Sequence, residues 1–506
     1  MTAIIKRHPR AWTAIGLLAI VGVSYLLRSQ ALSAKFWIDE GLSVGIANHP
    51  LTDIPGVLRQ DGAPPLYYLL LHVWINLIGG DGEARTHALS LLCALLAIPA
   101  SWYWARRVFD ARSAWITALL MATLPFVTYY AQETRMYTLV VLIGTCAGGA
   151  FAAAFVRGDR RALPWFIVFG ALAPYSHNWG AFFVAGCGLT WLVLVRGAGD
   201  DGRRVLVRDG VLAFGMIALL YLPWLPTVLD QARHTGAPWA ESPSLSDLLS
   251  VLELATGGIA IALVGGAGLA RLRDDEPRWA RAAFALVAAA VATVLFAWTL
   301  SQFSPAWSGR YAAIVVGPLL LAVGAGLAAA GRLGIVVLVI GLILSWSTQE
   351  TRLKGKSNVF KVTRTLTDRG LVRDGDTVVS VHPEQGAVTR YYLGPRVHYA
   401  DALGPVRDPQ VFDWRDALDR LQRTGPRTAL AEITPGVRPG QRLIVLFPLI
   451  RSGRWGAPWT ALVRKRSSQW QETLDHDPDY RRLAALPQFG YRRLPRGVRA
   501  VVYERR

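Results

Sequence analysis

Residues 11–27 read AWTAIGLLAIVGVSYLL and are followed, after a short polar stretch, by Phe36-Trp37-Ile38-Asp39-Glu40. A run of that length can cross a bilayer core of about 30 Å as a helix. The two acids just beyond it set carboxylates against a membrane face, where an ionised group is costly without partners. Asp39 and Glu40 are therefore candidate site residues.

The same apolar pattern recurs along the chain. With 52% hydrophobic residues, 19 Trp among 506 residues and a mean hydropathy of +0.30, an ordinary soluble enzyme is excluded. Eleven segments are apolar enough to predict spans: 11–27, 86–105, 114–130, 136–156, 163–176, 180–195, 210–229, 247–270, 282–301, 311–330 and 333–349. The short pair 163–176 and 180–195 flanks His177-Asn178-Trp179 and reads as two tilted helices or one broken one. The expected class is a polytopic α-helical membrane protein.

Basic residues set the expected orientation. With the N-terminus inside, the inner loops up to residue 350 hold 18 Lys and Arg and the outer loops 7. Lys and Arg resist translocation, so the N-terminus is expected in the cytoplasm and the C-terminus outside. Asp39, Asp61, Glu133, His177 and Arg310 then share the outer face. The basic start and the Ala31-Leu32-Ser33-Ala34 patch also suit a cleaved signal peptide; a retained helix is the preferred reading.

The first outer loop, residues 28–85, contains Asp61 ahead of Pro64-Pro65-Leu66-Tyr67-Tyr68. Its apolar stretch Leu66–Ile78 is short for a span, and spanning would also put Arg106, Arg107 and Arg112 outside. An interfacial or re-entrant helix is expected there, with Tyr67, Tyr68, His72 and Trp74 near headgroup depth.

Composition changes near residue 350, which divides an expected transmembrane domain, 1–350, from an exported α/β domain, 351–506. The second part holds 29 Lys and Arg against 15 Asp and Glu and no long apolar run. Thr377–Val381, Leu443–Phe447 and Val498–Tyr503 read as strands, Asp413–Arg423 and Trp459–Leu474 as helices. Its basic surface suits anionic lipid or an envelope polymer, or serves only as a solvated face; nucleic acid is the wrong partner outside a membrane. Cys93, Cys146 and Cys187 all fall in expected spans and read as small buried hydrophobes.

Four short motifs in order carry a family resemblance over residues 10–350. They are Phe36-Trp37-Ile38-Asp39-Glu40, Asp61-Gly62-Ala63-Pro64-Pro65-Leu66-Tyr67-Tyr68, Ala131-Gln132-Glu133-Thr134-Arg135-Met136-Tyr137, and Gly309-Arg310-Tyr311. The chain resembles GT-C fold glycosyltransferases that use polyprenyl-phosphate sugars, in the bacterial branch related to protein O-mannosyltransferases and the lipid A aminoarabinose transferase. Related enzymes commonly carry His where this chain has Ala63, so no role, metal binding included, is carried to that position.

The resemblance implies an inverting glycosyltransferase in the bacterial cytoplasmic membrane. Its donor would be a polyprenyl-phosphate sugar, with mannose or arabinofuranose favoured, and its acceptor an envelope glycan, glycolipid or protein. Such transfer needs one base for the acceptor proton and cations for the departing phosphate. Asp39 is the expected base, against the competing role of helix cap. Arg310 would hold phosphate bidentately, or snorkel to the interface. Glu40 would orient the loop or take part in catalysis, and Asp61 would contact substrate or serve a turn. Tyr67, Glu133, Arg135, Tyr137, His177 and Tyr311 are the remaining expected substrate-binding residues. Glu133 and Arg135 could equally neutralise each other, His177 be a satisfied interfacial histidine, and the aromatic rings be interfacial anchors. No cofactor is legible; a divalent cation would use Asp61 with His72 or His177. The competing function is a flippase or transporter of lipid-linked sugar, which should instead carry its charges near mid-membrane.

Overall fold

The computed structural model describes residues 9–348, 351, 355–449, 456–486 and 496–506. Helices dominate to residue 348, and a six-stranded sheet lies between residues 377 and 505. Among the described residues, seven helices are long and apolar enough to cross a membrane, or eight if one bent pair counts as a single span. All eleven apolar segments are helical, but two do not run as the hydropathy pattern predicts.

The first departure is 114–130. A helix over Ala111–Thr123 stops at Leu124 and a short one, Pro125–Tyr130, follows. Pro125 has no N–H to give the carbonyl of Met121, so the ladder must break there. Apolar surroundings make freed carbonyls expensive, and side chains from distant segments satisfy them. Buried Arg28 donates to the Met121 carbonyl, Ser24 to that of Ala122 and Trp346 to that of Thr123.

The second is 247–270. Here Leu245–Thr256 and Ile259–Asp275 meet at 80°. Gly257 and Gly258 take φ of +83° and +149°, conformations that only glycine adopts cheaply. The pair 163–176 and 180–195 forms the first of its two expected arrangements, two helices, Leu163–Ser176 and Trp179–Arg196, separated at His177, whose backbone is extended. Leu66–Ile78 is a helix that buries Tyr67, Tyr68, Leu71 and Ile75 on one face and ends at left-handed Gly79.

In the C-terminal sheet the strands are β1 (Thr377–Ser380), β2 (His398–Asp401), β3 (Gly404–Pro405), β4 (Arg442–Pro448), β5 (Tyr480–Ala485) and β6 (Val498–Arg505), in the order β3-β2-β1-β4-β6-β5. The central strand β1 runs parallel to β2 and β4; β6 is antiparallel to both β4 and β5. Helix Pro458–Asp475 matches its expected span to within a residue at each end. The helix expected from Asp413 starts only at Ala417, because Asp413 folds a local turn onto Arg415 and Asp416 sits at φ +49°.

One contact positions the site. The helix Ile38–Ala47, shortly after the first apolar helix, is clamped by C-terminal residues through two glycines. A Cβ on Gly41 would lie 2.7 Å from the Val388 backbone, and one on Gly45 would lie 1.9 Å from the Gln410 carbonyl oxygen. Both positions must be glycine for the helix carrying Asp39 and Glu40 to dock. All three cysteines are buried and free.

Candidate active site

Asp39 opens the helix Ile38–Ala47, at the point where the extended Trp37 backbone turns helical. Its carboxylate forms an ion pair with the Arg310 guanidinium at 2.8 Å. Arg310 comes from Gly309–Ala312, a tight turn that leads into the buried helix Ala313–Ala329. Arg135 approaches from another side and donates to the Asp39 carbonyl at 3.3 Å, Ser43 at 3.1 Å and Tyr68 at 3.4 Å. Two guanidinium groups thus converge on one aspartate.

These groups face a cavity of about 1150 Å³. Asp39, Asp61, Arg135, His177, Arg310 and Tyr311 line it on the polar side, and Leu225, Leu229, Leu300 and Phe303 on an apolar one. Burial alone would raise the Asp39 carboxyl, but Arg310, Arg135, Lys356 and Arg496 together hold it below the ordinary aspartate value. It is ionised at neutral pH.

Asp61 behaves in the opposite way: burial, then the neighbouring Asp39 charge, push it up to about 6 against the pull of Arg135. A carboxyl raised in the folded state adds stability that is complete below its ordinary value and disappears as pH rises through 6. Asp61→Asn is therefore expected to gain on the parent by about 1–2 kcal/mol between pH 4 and pH 7, allowing for partial exposure. Thermal unfolding of both proteins across that range checks this; a constant difference would show that burial does not raise the Asp61 carboxyl.

Burial, then the charges of Arg135 and Arg310, push the His177 imidazole down to about 3, so the ring is neutral. Its Nδ1 accepts from the Trp179 N–H at 3.1 Å, which leaves the proton on Nε2. The ring packs on Tyr311 at 4.7 Å, and Tyr311 lies against Tyr137 at 6.5 Å. Arg310 sits 5.6–5.7 Å from the ring centres of Trp37, Tyr137 and Tyr311. Such cation–aromatic packing fixes a guanidinium without neutralising it.

The other expected residues fall elsewhere. Glu40 is fully buried behind Asp39 and accepts from His87 at 2.6 Å and the Thr134 N–H at 2.8 Å. Burial lifts its carboxyl above the ordinary value despite His87. This pair fastens the loop. Glu40→Ala is expected to cost about 3–5 kcal/mol by leaving His87 and the Thr134 N–H buried without their partner; a melting temperature equal to the parent's would deny the pair that role.

Glu133 does not pair with Arg135. It accepts from Trp37 Nε1 at 2.6 Å and from Lys356 at 2.8 Å, holding Lys356 over the Trp37 ring at 4.2 Å. Burial disfavours the Lys356 charge, yet Glu133 and Tyr129 raise it above the ordinary lysine value. Tyr67 lies in the core, its hydroxyl 3.2 Å from Ser90, and does not line the cavity; the aromatic face of its helix turns inward. His72 is turned to the Ala47 carbonyl at 2.8 Å and so does not join Asp61 and His177. Among the described residues no group of three His, Cys, Asp or Glu is arranged to hold a metal ion.

The cavity also has a wall that the sequence did not announce. His382, Glu384, Trp414 and Arg496 line it from the C-terminal part, and Lys356 completes the charge cluster. Four segments supply them, and the two around Lys356 and Arg496 are tied together by the Arg496 N–H on the Lys356 carbonyl at 3.0 Å and by Asn358 on the Val498 backbone at 2.7 and 2.8 Å. No local motif marks these residues.

No protein-family model and no curated protein matches the chain. Solved structures do. ArnT from Cupriavidus metallidurans bound to undecaprenyl phosphate superimposes with a TM-score of 0.63 at 15% identity, covering 97% of this chain and 98% of that one. The archaeal oligosaccharyltransferase AglB from Archaeoglobus fulgidus, in complex with an inhibitory peptide and a dolichol-phosphate, gives 0.55 at 12% identity over 87% of this chain and 70% of that one. The mycobacterial arabinofuranosyltransferase AftD gives 0.52 at 16% identity, with 98% of this chain on 41% of the longer AftD chain. The chain has the GT-C fold. Within that fold, apolar helices and a small C-terminal sheet domain together enclose the cavity around Asp39. The superposition on ArnT covers 97% of this chain and so extends the likeness in fold beyond residue 350, where the resemblance read from the motifs ends.

Proposed function

We infer that this GT-C chain is an inverting glycosyltransferase. It moves one sugar, mannose or arabinofuranose first among candidates, from a polyprenyl phosphate to a hydroxyl of an envelope glycan, glycolipid or protein. In this reading the N-terminus is cytoplasmic, and the Asp39 cavity and residues 351–506 face the outside of a bacterial cytoplasmic membrane. The observation that carries it is one ionised carboxylate, Asp39, held by Arg310 in a cavity whose other wall is apolar. Undecaprenyl phosphate in ArnT and dolichol-phosphate in AglB support a lipid phosphate as the donor's leaving group.

The chemistry follows from the charges. A donor phosphate entering the cluster takes hydrogen bonds from Arg310 and Arg135, drawing positive charge away from Asp39 and making it more basic. Asp39 then accepts the proton of the acceptor hydroxyl. That oxygen attacks the anomeric carbon from the face opposite the phosphate; the carbon–oxygen bond to phosphate breaks, and its electron pair leaves with the lipid phosphate onto the guanidinium groups. A single displacement inverts the anomeric centre. Neutral His177 offers Nε2–H to a sugar or phosphate oxygen.

The test uses purified protein in liposomes with radiolabelled polyprenyl-phosphate mannose or arabinofuranose and delipidated envelope material. Label should pass to an acceptor in the inverted configuration. Absence of transfer from every polyprenyl-phosphate sugar, despite measurable undecaprenyl-phosphate binding, would overturn the reading.

A further inference from the structure

A second cavity of about 560 Å³ lies on the opposite side of the helix that carries Asp39. Its floor is Gly41, Val44 and Gly45, its aromatic wall Phe360, Tyr391 and Tyr392, and its polar rim comes from both parts of the chain. The first outer loop and the 79–83 turn supply Lys35, Asn48, Asp81 and Glu83; the C-terminal part supplies Arg390 and Gln410. None of these residues lines the Asp39 cavity.

The chemistry of the rim narrows the ligand. Lys35 is matched by Glu83 at 3.0 Å, and Asn48 donates to Asp81 at 2.9 Å. Two carboxylates against Lys35 and Arg390 leave no net charge, so the cleft is not built for a phosphate or a polyanion. The three half-buried rings are stacked edge to face, Phe360 on Tyr392 at 5.2 Å and Tyr392 on Tyr391 at 4.9 Å. Tyr392 is locked further by accepting the Phe36 N–H at 2.8 Å and donating to Glu83 at 3.2 Å. Rigid rings with carboxylate, amide and guanidinium groups at one edge match a neutral ring compound dense in hydroxyls: its C–H face meets aromatic carbon, and its hydroxyls meet donors and acceptors in turn.

We propose that the cleft formed by Asp81, Glu83, Arg390, Tyr391 and Tyr392 is a second, non-catalytic binding site for a neutral glycan. It stands independently of the transfer reaction at Asp39. The ligand seats against the half-buried Tyr391 and Tyr392 rings, beside the contact by which Val388 and Gln410 close over Gly41 and Gly45.

The full-length protein in detergent micelles is titrated with a neutral manno-oligosaccharide and an arabino-oligosaccharide, with binding read by saturation-transfer NMR. At least one should bind, and Asp81→Asn and Arg390→Ala should each weaken it about tenfold or more. Asp39→Asn should leave that binding intact, and undecaprenyl-phosphate affinity should stay within about twofold in Arg390→Ala. Matching melting curves confirm that both cleft variants are folded. Absence of oligosaccharide binding by the parent, or binding insensitive to both Asp81→Asn and Arg390→Ala, overturns the site. So does preferential capture of a hydroxyl-bearing peptide or inorganic phosphate by the same residues. Oligosaccharide binding that responds to both variants in a protein that transfers no sugar would sink the catalytic reading and leave this one standing.

Discussion

Replacing Asp39 by Asn is expected to lower kcat about 10²- to 10⁴-fold, the ordinary span for losing a positioned general base, while the protein still folds and binds lipid phosphate. The amide keeps the size and the oxygen of the carboxylate, so Arg310 retains a neutral acceptor in place of the ion pair now at 2.8 Å. What disappears is a group able to take a proton. A purely structural Asp39, serving only to place Arg310, would give a different signature: donor KM would rise and kcat would change little. Steady-state kinetics with a polyprenyl-phosphate sugar separate the two, and a variant retaining more than about a tenth of parental kcat would remove Asp39 from proton transfer. The acid limb of the parent's rate should lie below the ordinary aspartate range in the free enzyme, because the four surrounding cations outweigh burial. A donor phosphate that recruits those cations should move the limb of kcat to higher pH than that of kcat/KM.

Much of the membrane part was legible because bilayer burial demands long apolar runs. Asp39, Asp61, Arg135 and Arg310 were legible because charges beside such runs are rare. The misreadings share a cause: hydropathy averages over backbone chemistry. It passes across Pro125 although the missing N–H frees a carbonyl that buried Arg28 must satisfy, and across Gly257-Gly258, where positive φ turns the chain. The sequence left Glu133 open as a pocket residue or a partner of Arg135, but in a turn neighbouring side chains diverge, and Glu133 instead meets Lys356 across a sequence gap of 223 residues. Lys356, His382, Glu384 and Arg496 were invisible for the same reason. Each lies in a stretch of ordinary polar composition, and only the docking of the C-terminal part on Gly41 and Gly45 brings His382, Glu384 and Arg496 to the cavity and the Lys356 charge to Asp39.

Arg310→Ala should raise donor KM about ten- to a hundredfold, the loss expected when a charged hydrogen-bond donor to phosphate is removed. The protein should remain folded, because the helix after Arg310 is held by its own buried apolar face, Ala313 to Leu327, and not by the guanidinium. Two further consequences distinguish a phosphate ligand from a mere counter-ion for Asp39. Arg310→Lys should recover only part of the donor affinity, since an ammonium supplies charge without the planar fork that Trp37, Tyr137 and Tyr311 hold in place. Loss of the cation should also make Asp39 more basic, because Arg310 contributes most among the charges that lower it against burial. A more basic Asp39 is protonated at higher pH, so the acid limb of kcat/KM should shift upward in Arg310→Ala and return toward the parent's in Arg310→Lys. Donor KM unchanged in Arg310→Ala, with the acid limb shifted alone, would confine Arg310 to tuning Asp39 and require Arg135 or Lys356 to receive the phosphate.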